Sequence, residues 1–531
     1  MQKILVSDSL SKQGIEILQK AGFTVDVKTK MPKEELLKEI KHYDGLIIRS
    51  ATKVTAEVIS AADRLKVVGR AGSGLDNVDT AAATRRGVVV MNTPGGNTVT
   101  TAEHTMSMIC SMTRRIPQAT ASMKAGKWEK EKFMGVELYN KVLGIVGFGQ
   151  IGSYLCKLAQ GFSMNVVAYD PYLAPERAQK LGVELMELAE LFRRADVITV
   201  HTPLTAETKS LINAAAIATM KPGVMIANCA RGGIVNEADL YEALKAKRVA
   251  AAAFDVFDEE PVKPDHPLLT LDNFICTPHI GASTTEAQEN VAIGIAEQIV
   301  DYFTKGLARG AVNIPSVPPE LLPRLQPYVT LAEKLGLLQA QLCEGGIERV
   351  TVEYSGEVAS LSAAPLTIAA LKGLLTPILE DVVNFVNAPL IAKERGIEVK
   401  EVKSNDAGDF TSVIRVRVEA GKTSRRVAGT LHNRKEARVI EIDKFQVEVV
   451  PEGHMVLILN VDQPGVIGAV ASALGAHNVN IARMQCAREE RGGNALLIIG
   501  LDAPLPAGVL DTIKQGRHIL SVKLADLSRG V

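Results

Sequence analysis

The residues best suited to chemistry in this 531-residue chain lie in a few short blocks. Gly147-Phe148-Gly149-Gln150-Ile151-Gly152 fits G-x-G-x-x-G. The hexapeptide alone is weak evidence, but the apolar run Val142–Val146 enters it and a helical pattern over 151–160 leaves it. In that setting Gly147 permits a tight turn, Gly149 lets the backbone approach a pyrophosphate, and Gly152 lets helix and strand pack closely. The helix start at Gln150 and Ile151 then faces the anion. The next run, Asn165–Tyr169, ends in Asp170. A carboxylate there accepts hydrogen bonds from the adenosine ribose hydroxyls and repels a 2′-phosphate, which predicts NAD over NADP. The competing reading of Asp170 is an exposed acid in the turn before Pro171.

Three more polar residues follow apolar runs: Arg231 in Asn228-Cys229-Ala230-Arg231-Gly232-Gly233, Glu260 in the block from Asp255 to Pro261, and His279 in Thr277-Pro278-His279-Ile280-Gly281. Strand C-termini are where open α/β sheets bind ligands, so these distant residues are expected to share one crevice. Oxidising a 2-hydroxy acid needs these three types. A hydride leaves C2 for a nicotinamide while a base, His279, takes the hydroxyl proton. Glu260 orients the imidazole and stabilises its protonated form. Arg231 forks onto the carboxylate and polarises the C2 oxygen. No metal is expected, because the cofactor carries the redox step. Taken singly, each residue also reads as an ordinary surface charge or a structural histidine.

The elements that must position these residues alternate. Strands are expected at 3–7, Thr24–Val27, Gly45–Ile48 and 66–68, with helices at 11–21 and 36–40 between them. A long buried helix is predicted over 100–114. A second series runs through strands at 142–146, 165–169, 196–201, 223–228, 250–254 and 274–277, and a long helix at 284–303. Both series predict parallel sheets with helices on their faces. The stretch 314–319, Ile-Pro-Ser-Val-Pro-Pro, reads as a linker. Beyond it, helices are expected at 329–342 and 365–386, strands at 350–354 and 413–419, and a candidate anion-binding loop at 429–434 with His432, Arg434 and the adjoining Lys435, which also reads as an ordinary hairpin loop. From His454 the order strand, turn, helix, strand, strand, helix, strand suits a small α+β unit.

Composition sets the limits. Apolar residues make up 47%, charged residues 23%, and mean hydropathy is +0.11, an ordinary globular mixture that excludes disorder and collagen-like structure. Sixty basic residues balance sixty acidic ones, which argues against nucleic-acid and membrane-surface partners. Six scattered cysteines form no C-x-x-C pair, and no secretory signal or membrane span is visible, so a reducing cytoplasm is expected.

Together, the glycine turn with Asp170, the 228–233, 255–261 and 277–283 blocks, Ala71-Gly72-Ser73-Gly74-Leu75-Asp76-Asn77-Val78-Asp79 and Asn92-Thr93-Pro94-Gly95 resemble the D-isomer-specific 2-hydroxyacid dehydrogenase family. Ile116-Pro117-Gln118-Ala119 and Lys127-Trp128-Glu129 match the family's long-form members that act on 3-phospho-D-glycerate. The resemblance implies oxidation of 3-phospho-D-glycerate to 3-phosphooxypyruvate with NAD, the first step toward L-serine. It implies Arg231, Glu260 and His279 as the catalytic set, and Gly147, Gly149, Gln150, Ile151, Gly152, Asp170, Thr202, Ala230 and Asp255 around the cofactor. It implies Arg49, Ser50, Ser73, Gly74, Asn97 and Lys132 on the substrate side. The implied architecture is α/β: two Rossmann-like doubly wound domains, then an α+β intervening domain and an α+β, ferredoxin-like ACT domain. Residues 1–97 with 287–313 would bind substrate, 98–286 would bind NAD, 317–452 would intervene, and 453–531 would form the ACT unit. The segment Asn460-Val461-Asp462-Gln463-Pro464-Gly465 and Asn480 carry the ACT resemblance, which implies an L-serine effector held by Asp462 and Asn480. Family habit implies a homodimer or homotetramer. Two rivals stay open on the residues alone: a dehydrogenase for another D-2-hydroxy acid, and an NAD-sensing binding protein without turnover.

Overall fold

The protein is described from a computed structural model, which covers residues 1–315, 317–379 and 383–528. Ser316 of the expected linker, residues 380–382 of the helix expected at 365–386, and the last three residues lie outside the described residues.

Short β-branched and apolar runs form the first sheet: β1 (Lys3–Val6), β2 (Thr24–Val27), β3 (Gly45–Ile48), β4 (Val67–Arg70) and β5 (Val89–Asn92). All pairs are parallel and the order is β2-β1-β3-β4-β5. Strands buried on both faces read as continuous apolar runs, and β3 is buried along its whole length. The chain then leaves through a crossing helix, Thr98–Arg114, whose Ala102, Met106, Ile109 and Met112 pack on the second sheet.

That second sheet holds β6 (Val142–Val146), β7 (Asn165–Tyr169), β8 (Glu184–Leu185), β9 (Val197–Val200), β10 (Val224–Asn228), β11 (Val249–Phe254) and β12 (Phe274–Cys276). It is parallel throughout, in the order β12-β11-β10-β9-β6-β7-β8. The order reverses at β6, so the glycine turn after β6 lies at the topological switch point, where such sheets bind dinucleotides. The two-residue β8 is an addition to the expected strands, too short to leave a periodic signal. A return helix, Thr285–Lys305, packs Val291, Ile295 and Ile299 against Ile4, Val67 and Val89 of the first sheet. The strip beyond it stays there: Val312 N donates to Val90 O at 2.9 Å and Val90 N donates to Asn313 Oδ1 at 2.9 Å.

A mixed sheet follows: β13 (Arg349–Gly356), β14 (Glu398–Ser404), β15 (Ser412–Ala420), β16 (Thr423–His432), β17 (Glu436–Ile442) and β18 (Phe445–Val449), ordered β14-β13-β15-β16-β17-β18. Helices Leu322–Leu342 and Ala363–Leu375 cover it and cross closely. A Cβ on Gly336 would lie 2.0 Å from Ala370 O, and one on Gly373 would lie 2.0 Å from Glu333 O. The expected loop at 429–434 is corrected here. Gly429 to His432 continue β16 against β17, and the turn is confined to Asn433, Arg434 and Lys435, the first two at positive φ. Alternation is masked in β16, because its outward residues are threonine, serine and arginine.

The last unit is an antiparallel sheet of β19 (His454–Val461), β20 (Ile481–Arg488), β21 (Asn494–Leu501) and β22 (Ile519–Asp526), ordered β20-β21-β19-β22. One face carries helices Val466–Ala476 and Val509–Lys514 over Val456, Ile458, Leu497 and Ile499. The other face gives Met455, Leu457, Leu496 and Ile498 to the core beneath helix Leu322–Leu342. Among the described residues, no helix is long and apolar enough to cross a membrane.

The Gly336–Gly373 crossing has no room for a methyl. Gly336→Ala and Gly373→Ala are each expected to destabilise the 322–449 unit by about 1–3 kcal/mol through overpacking. The check is the thermal or urea unfolding transition of the full chain, compared with Gly346→Ala at an open position without a positive φ.

Candidate functional site

The glycine turn is shaped for a large anion. Gly147 has φ +91, and a Cβ there would sit 2.7 Å from His201 O. Such a φ is cheap only for glycine. A Cβ on Gly152 would lie 2.4 Å from Gly147 O, whereas nothing lies within 4 Å of the Cβ position of Gly149. The middle glycine therefore faces open space and the outer two are required by close packing. Gln150 opens the helix Gln150–Gly161 and accepts from Thr98 Oγ1 at 3.2 Å; Ile151 packs into the core behind it.

Asp170 is tied to this turn. Its Oδ2 accepts from Phe148 N at 2.8 Å and its Oδ1 from Tyr172 N at 2.9 Å, which holds the carboxylate at the end of β7. Thr202 Oγ1 is buried without a partner among the described residues, next to the turn: Thr202 Cγ2 would be 2.8 Å from a Cβ on Gly147. Burial of the ring pushes the imidazole of its half-buried neighbour His201 down to about 4, so this wall is neutral. An open central glycine, a fixed acid and an unpaired hydroxyl are what a dinucleotide would complete. These residues fit NAD.

The residues expected to carry the reaction, Arg231, Glu260 and His279, lie past the ends of β10, β11 and β12. His279 Nδ1 and Glu260 Oε2 are 2.7 Å apart. The bond to Glu260 raises the His279 pKa above its ordinary value, against the opposing pull of burial. Burial pushes the Glu260 carboxyl up, but the bonds from His279 and from Phe257 N outweigh it and hold the group below the usual range. His279 is therefore a proton acceptor stronger than a free imidazole, with its charge answered by a carboxylate. Nδ1 is committed to Glu260, which leaves Nε2 for a substrate. Ala230 N donates to Asn228 Oδ1, and Arg231 donates through Nη1 to Ala230 O at 2.6 Å and through Nε to Asp76 Oδ2 at 2.9 Å. Asp76 belongs to the loop after β4, so Arg231 joins the two sheets across the cleft.

The first-sheet loop is built to admit guanidinium groups. A Cβ on Gly74 would lie 1.9 Å from Arg231 Nη2, and one on Gly72 would lie 1.7 Å from Arg70 Nη1. Ser73 Oγ donates to Asn97 Oδ1 at 2.7 Å, and Asn97 Nδ2 donates to Thr101 Oγ1 at 3.2 Å, so the loop is tied to the crossing helix. Arg49 N donates to Asp8 Oδ2 at 2.6 Å, and Ser50 follows it at the exposed end of β3. Lys132 is apart from this group. It pairs with Glu129 at 2.6 Å on the short segment Lys130–Phe133 and makes no bond to the Arg231–His279 group.

Sequence reasoning misses Arg70. It is the last residue of β4, its Nε is buried without a partner, and burial followed by Arg231 lowers its pKa to about 10. The signal was available, since a strand-end arginine two residues before a glycine loop obeys the same rule that singles out Arg231. His104 is missed for another reason: on a helix of threonines and methionines it reads as core. Its Nε2 is 3.1 Å from Thr277 Oγ1 and 3.3 Å from Asp255 Oδ1. Asp255 itself is inward, with Oδ1 accepting from Thr277 Oγ1 and Ile280 N and Oδ2 from Gly281 N.

In the ACT-like unit, Asp462 accepts from Gly492 N at 3.1 Å and Arg488 Nη1 at 3.4 Å, beside the start of β21. Asn480 donates to Asp502 Oδ2 at 2.6 Å, beyond the end of β21. Seven steps of that strand separate the two ends by roughly 23 Å, so one chain does not bring Asp462 and Asn480 together. Among the described residues, no three His, Cys, Asp or Glu side chains form a group that could hold a metal ion.

Comparison with known proteins agrees with this geometry. Residues 106–281 match the model for the NAD-binding domain of D-isomer-specific 2-hydroxyacid dehydrogenases. Residues 324–443 match the D-3-phosphoglycerate dehydrogenase intervening domain, and 454–515 match the ACT domain. The D-3-phosphoglycerate dehydrogenase of Methanocaldococcus jannaschii is 46% identical over 99% of this chain and 100% of its own length. The chain belongs to the D-isomer-specific 2-hydroxyacid dehydrogenase family, on its phosphoglycerate dehydrogenase branch. The Bacillus subtilis D-3-phosphoglycerate dehydrogenase is 42% identical over 99% of this chain and 100% of its own length. Among solved structures, the TT0316 protein of Thermus thermophilus covers 58% of this chain and 99% of its own at TM-score 0.55 and 35% identity. The NAD-bound 3-phosphoglycerate dehydrogenase of Entamoeba histolytica covers 60% of this chain and 99% of its own at TM-score 0.50 and 32% identity.

The open position at Gly149 predicts a separation of binding from folding. Gly149→Ala is expected to weaken NAD at least about 10-fold while leaving the unfolding midpoint in place, because the methyl enters space the pyrophosphate would use. Asp170→Ala is expected to narrow the preference for NAD over NADP; both are read by titrating each dinucleotide against the full chain.

Proposed function

We propose that this chain oxidises 3-phospho-D-glycerate to 3-phosphooxypyruvate with NAD, the first step toward L-serine. The observation that carries the reading is the His279–Glu260 pair at 2.7 Å, set at the strand ends beside an NAD-shaped turn and sharing its cleft with arginines. The full-length relation to D-3-phosphoglycerate dehydrogenases supports the choice of substrate.

Each residue then has a task. Arg231 binds the substrate carboxylate in a forked contact and polarises the C2 oxygen. Its bond to Asp76 holds the guanidinium in place before substrate arrives. Nε2 of His279 takes the C2 hydroxyl proton, and Glu260 answers the charge that develops on the ring. NAD, when bound, would supply the acceptor for the hydride that leaves C2. Gly147, Gly149, Gln150, Ile151, Gly152, Asp170, Thr202, Ala230 and Asp255 line the cofactor side. Arg49, Ser50, Ser73, Gly74 and Asn97 line the substrate side, and Arg70 joins them, because an unpaired guanidinium beside two others calls for an anion. Closure of the two sheets over the cleft excludes water from the transfer.

The fold also supports self-association and control. Trp128, Met134 and Tyr139 are 81%, 83% and 63% exposed on the stretch after the crossing helix, a surface suited to a second copy of the chain. L-serine is the proposed effector, held by Asp462 of one chain and Asn480 of another, since one chain keeps them apart. We place the protein in the cytoplasm, where six dispersed cysteines stay reduced.

Turnover of 3-phosphoglycerate with NAD, compared with D-lactate and D-glycerate, tests the substrate. The phosphorylated acid is expected to win by kcat/KM, and equal rates would favour the rival of a broad 2-hydroxyacid dehydrogenase. Arg70→Ala is expected to raise the KM for 3-phosphoglycerate about 10- to 100-fold, as for a lost charged hydrogen bond. The oxidation rate is expected to fall as pH drops through the raised His279 pKa, because the base must be neutral. Glu260→Gln removes what raises that pKa, so the acid limb moves to lower pH while the plateau falls. L-Serine at millimolar levels is expected to slow the enzyme, and Asn480→Ala to abolish the effect.

A further inference from the structure

Asp255 is the most heavily bonded charge near the catalytic turn, and its side chain is 1% exposed. Oδ1 accepts from Thr277 Oγ1 at 2.5 Å and from Ile280 N at 2.8 Å, and Oδ2 accepts from Gly281 N at 2.7 Å. The two backbone donors lie immediately past residue 279. His279 itself sits at φ +53, with its N bonded to Thr277 O at 3.0 Å. A non-glycine residue in the left-handed region is strained and persists only where its surroundings hold it. The Asp255 carboxylate is what holds it here.

His104 reaches this carboxylate from the crossing helix, at 3.1 Å from Thr277 Oγ1 and 3.3 Å from Asp255 Oδ1. The threonine hydroxyl has one proton, and its 2.5 Å contact assigns that proton to Asp255. Its oxygen then accepts from His104, which makes Nε2 the N–H nitrogen of that ring. The same helix is bonded to the first-sheet loop through Thr101, Asn97 and Ser73. His104 thus stands between the part of the protein that would hold substrate and the turn that carries His279.

We propose that His104 is a positioning residue for the reaction: by donating to the Thr277–Asp255 pair it locks the 277–281 turn and keeps the His279 imidazole aligned between Glu260 and the substrate. The proposal rests on the reading that His279 moves the proton. An apolar residue at 104 would leave a buried carboxylate short of a donor and the threonine oxygen unsatisfied, and the turn would relax. His104 touches no reacting atom, so its loss acts through misalignment rather than through lost binding.

The test uses the full chain with His104→Leu and His104→Gln. It reads kcat, KM for 3-phosphoglycerate, the NADH dissociation constant, and the isotope effect with substrate deuterated at C2. His104→Leu is expected to lose about 10- to 100-fold in kcat, the scale of a small misplacement of a catalytic group. KM and NADH affinity should stay within about 3-fold, as for an interaction that matters mainly in the transition state. The isotope effect should rise as chemistry becomes slower. His104→Gln keeps an N–H donor and should recover most of the loss. An unchanged kcat in His104→Leu overturns the proposal. So does a kcat loss matched by an equal loss of NADH affinity, or a glutamine variant no better than leucine. If the leucine variant does not fold, His104→Asn replaces it, with an amide too short to reach Thr277, and the same outcomes decide. Turnover surviving in His279→Ala would remove the underlying reading, whereas an inactive His279→Ala beside a fully active His104→Leu removes only the role of His104.

Discussion

The site depends on one bond, the 2.7 Å contact between His279 and Glu260. It raises the base strength of the imidazole and, in the proposed reaction, would leave Nε2 facing the substrate and supply the counter-charge to the imidazolium that forms. Neither partner could stand in this relation by local preference. His279 occupies a left-handed backbone position, and Glu260 keeps its charge in a half-buried place. The second sheet meets both demands. β11 runs directly into Asp255, whose carboxylate gathers the turn after β12, and Phe257 N holds the Glu260 carboxylate in line. Even the crossing helix takes part, through His104.

A second constraint is that the reaction needs anion-binding groups from one sheet and proton-transfer groups from another. Arg231 and Asp76 link them directly, and Gly72 and Gly74 leave the room that two arginine side chains occupy. This explains how a chain with no net charge suits a phosphorylated acid. A few guanidinium groups gathered in one cleft, one of them with an unpartnered buried nitrogen, are enough locally, while sixty acidic and sixty basic residues cancel over the whole.

Much of this was legible in the sequence because the governing signals are local. The G-x-G-x-x-G turn, Asp170 at a strand end, and polar residues after apolar runs each need only a short window. What escaped the window is what long-range packing decides. Arg70 reads as a solvated charge until the loop from Gly72 folds over it. His104 reads as core until Asp255 is placed beside it. The strand Glu398–Ser404 is polar on both faces and pairs only at an edge, so its sequence has no apolar face to show. The 429–434 stretch looks like a hairpin loop by composition, yet Gly429 is the place where the sheet meets Leu331 and Leu335 of the covering helix. Likewise, Asp462 and Asn480 carry the right chemistry for an amino acid, but only the strand between them shows that one chain keeps them apart.

The added length beyond residue 313 is not a loose appendage. The ACT-like sheet shares a core with the helix Leu322–Leu342, and Asn384 donates to Gly87 O at 2.9 Å on the first sheet. The intervening unit thus touches the unit built on the first sheet. The claim on which everything rests is that His279 moves the proton, and its most direct test is turnover of 3-phosphoglycerate by His279→Ala alongside NADH binding. That role for His279 predicts a loss of turnover of about 100-fold or more while NADH still binds. Turnover near that of the unaltered protein would contradict it.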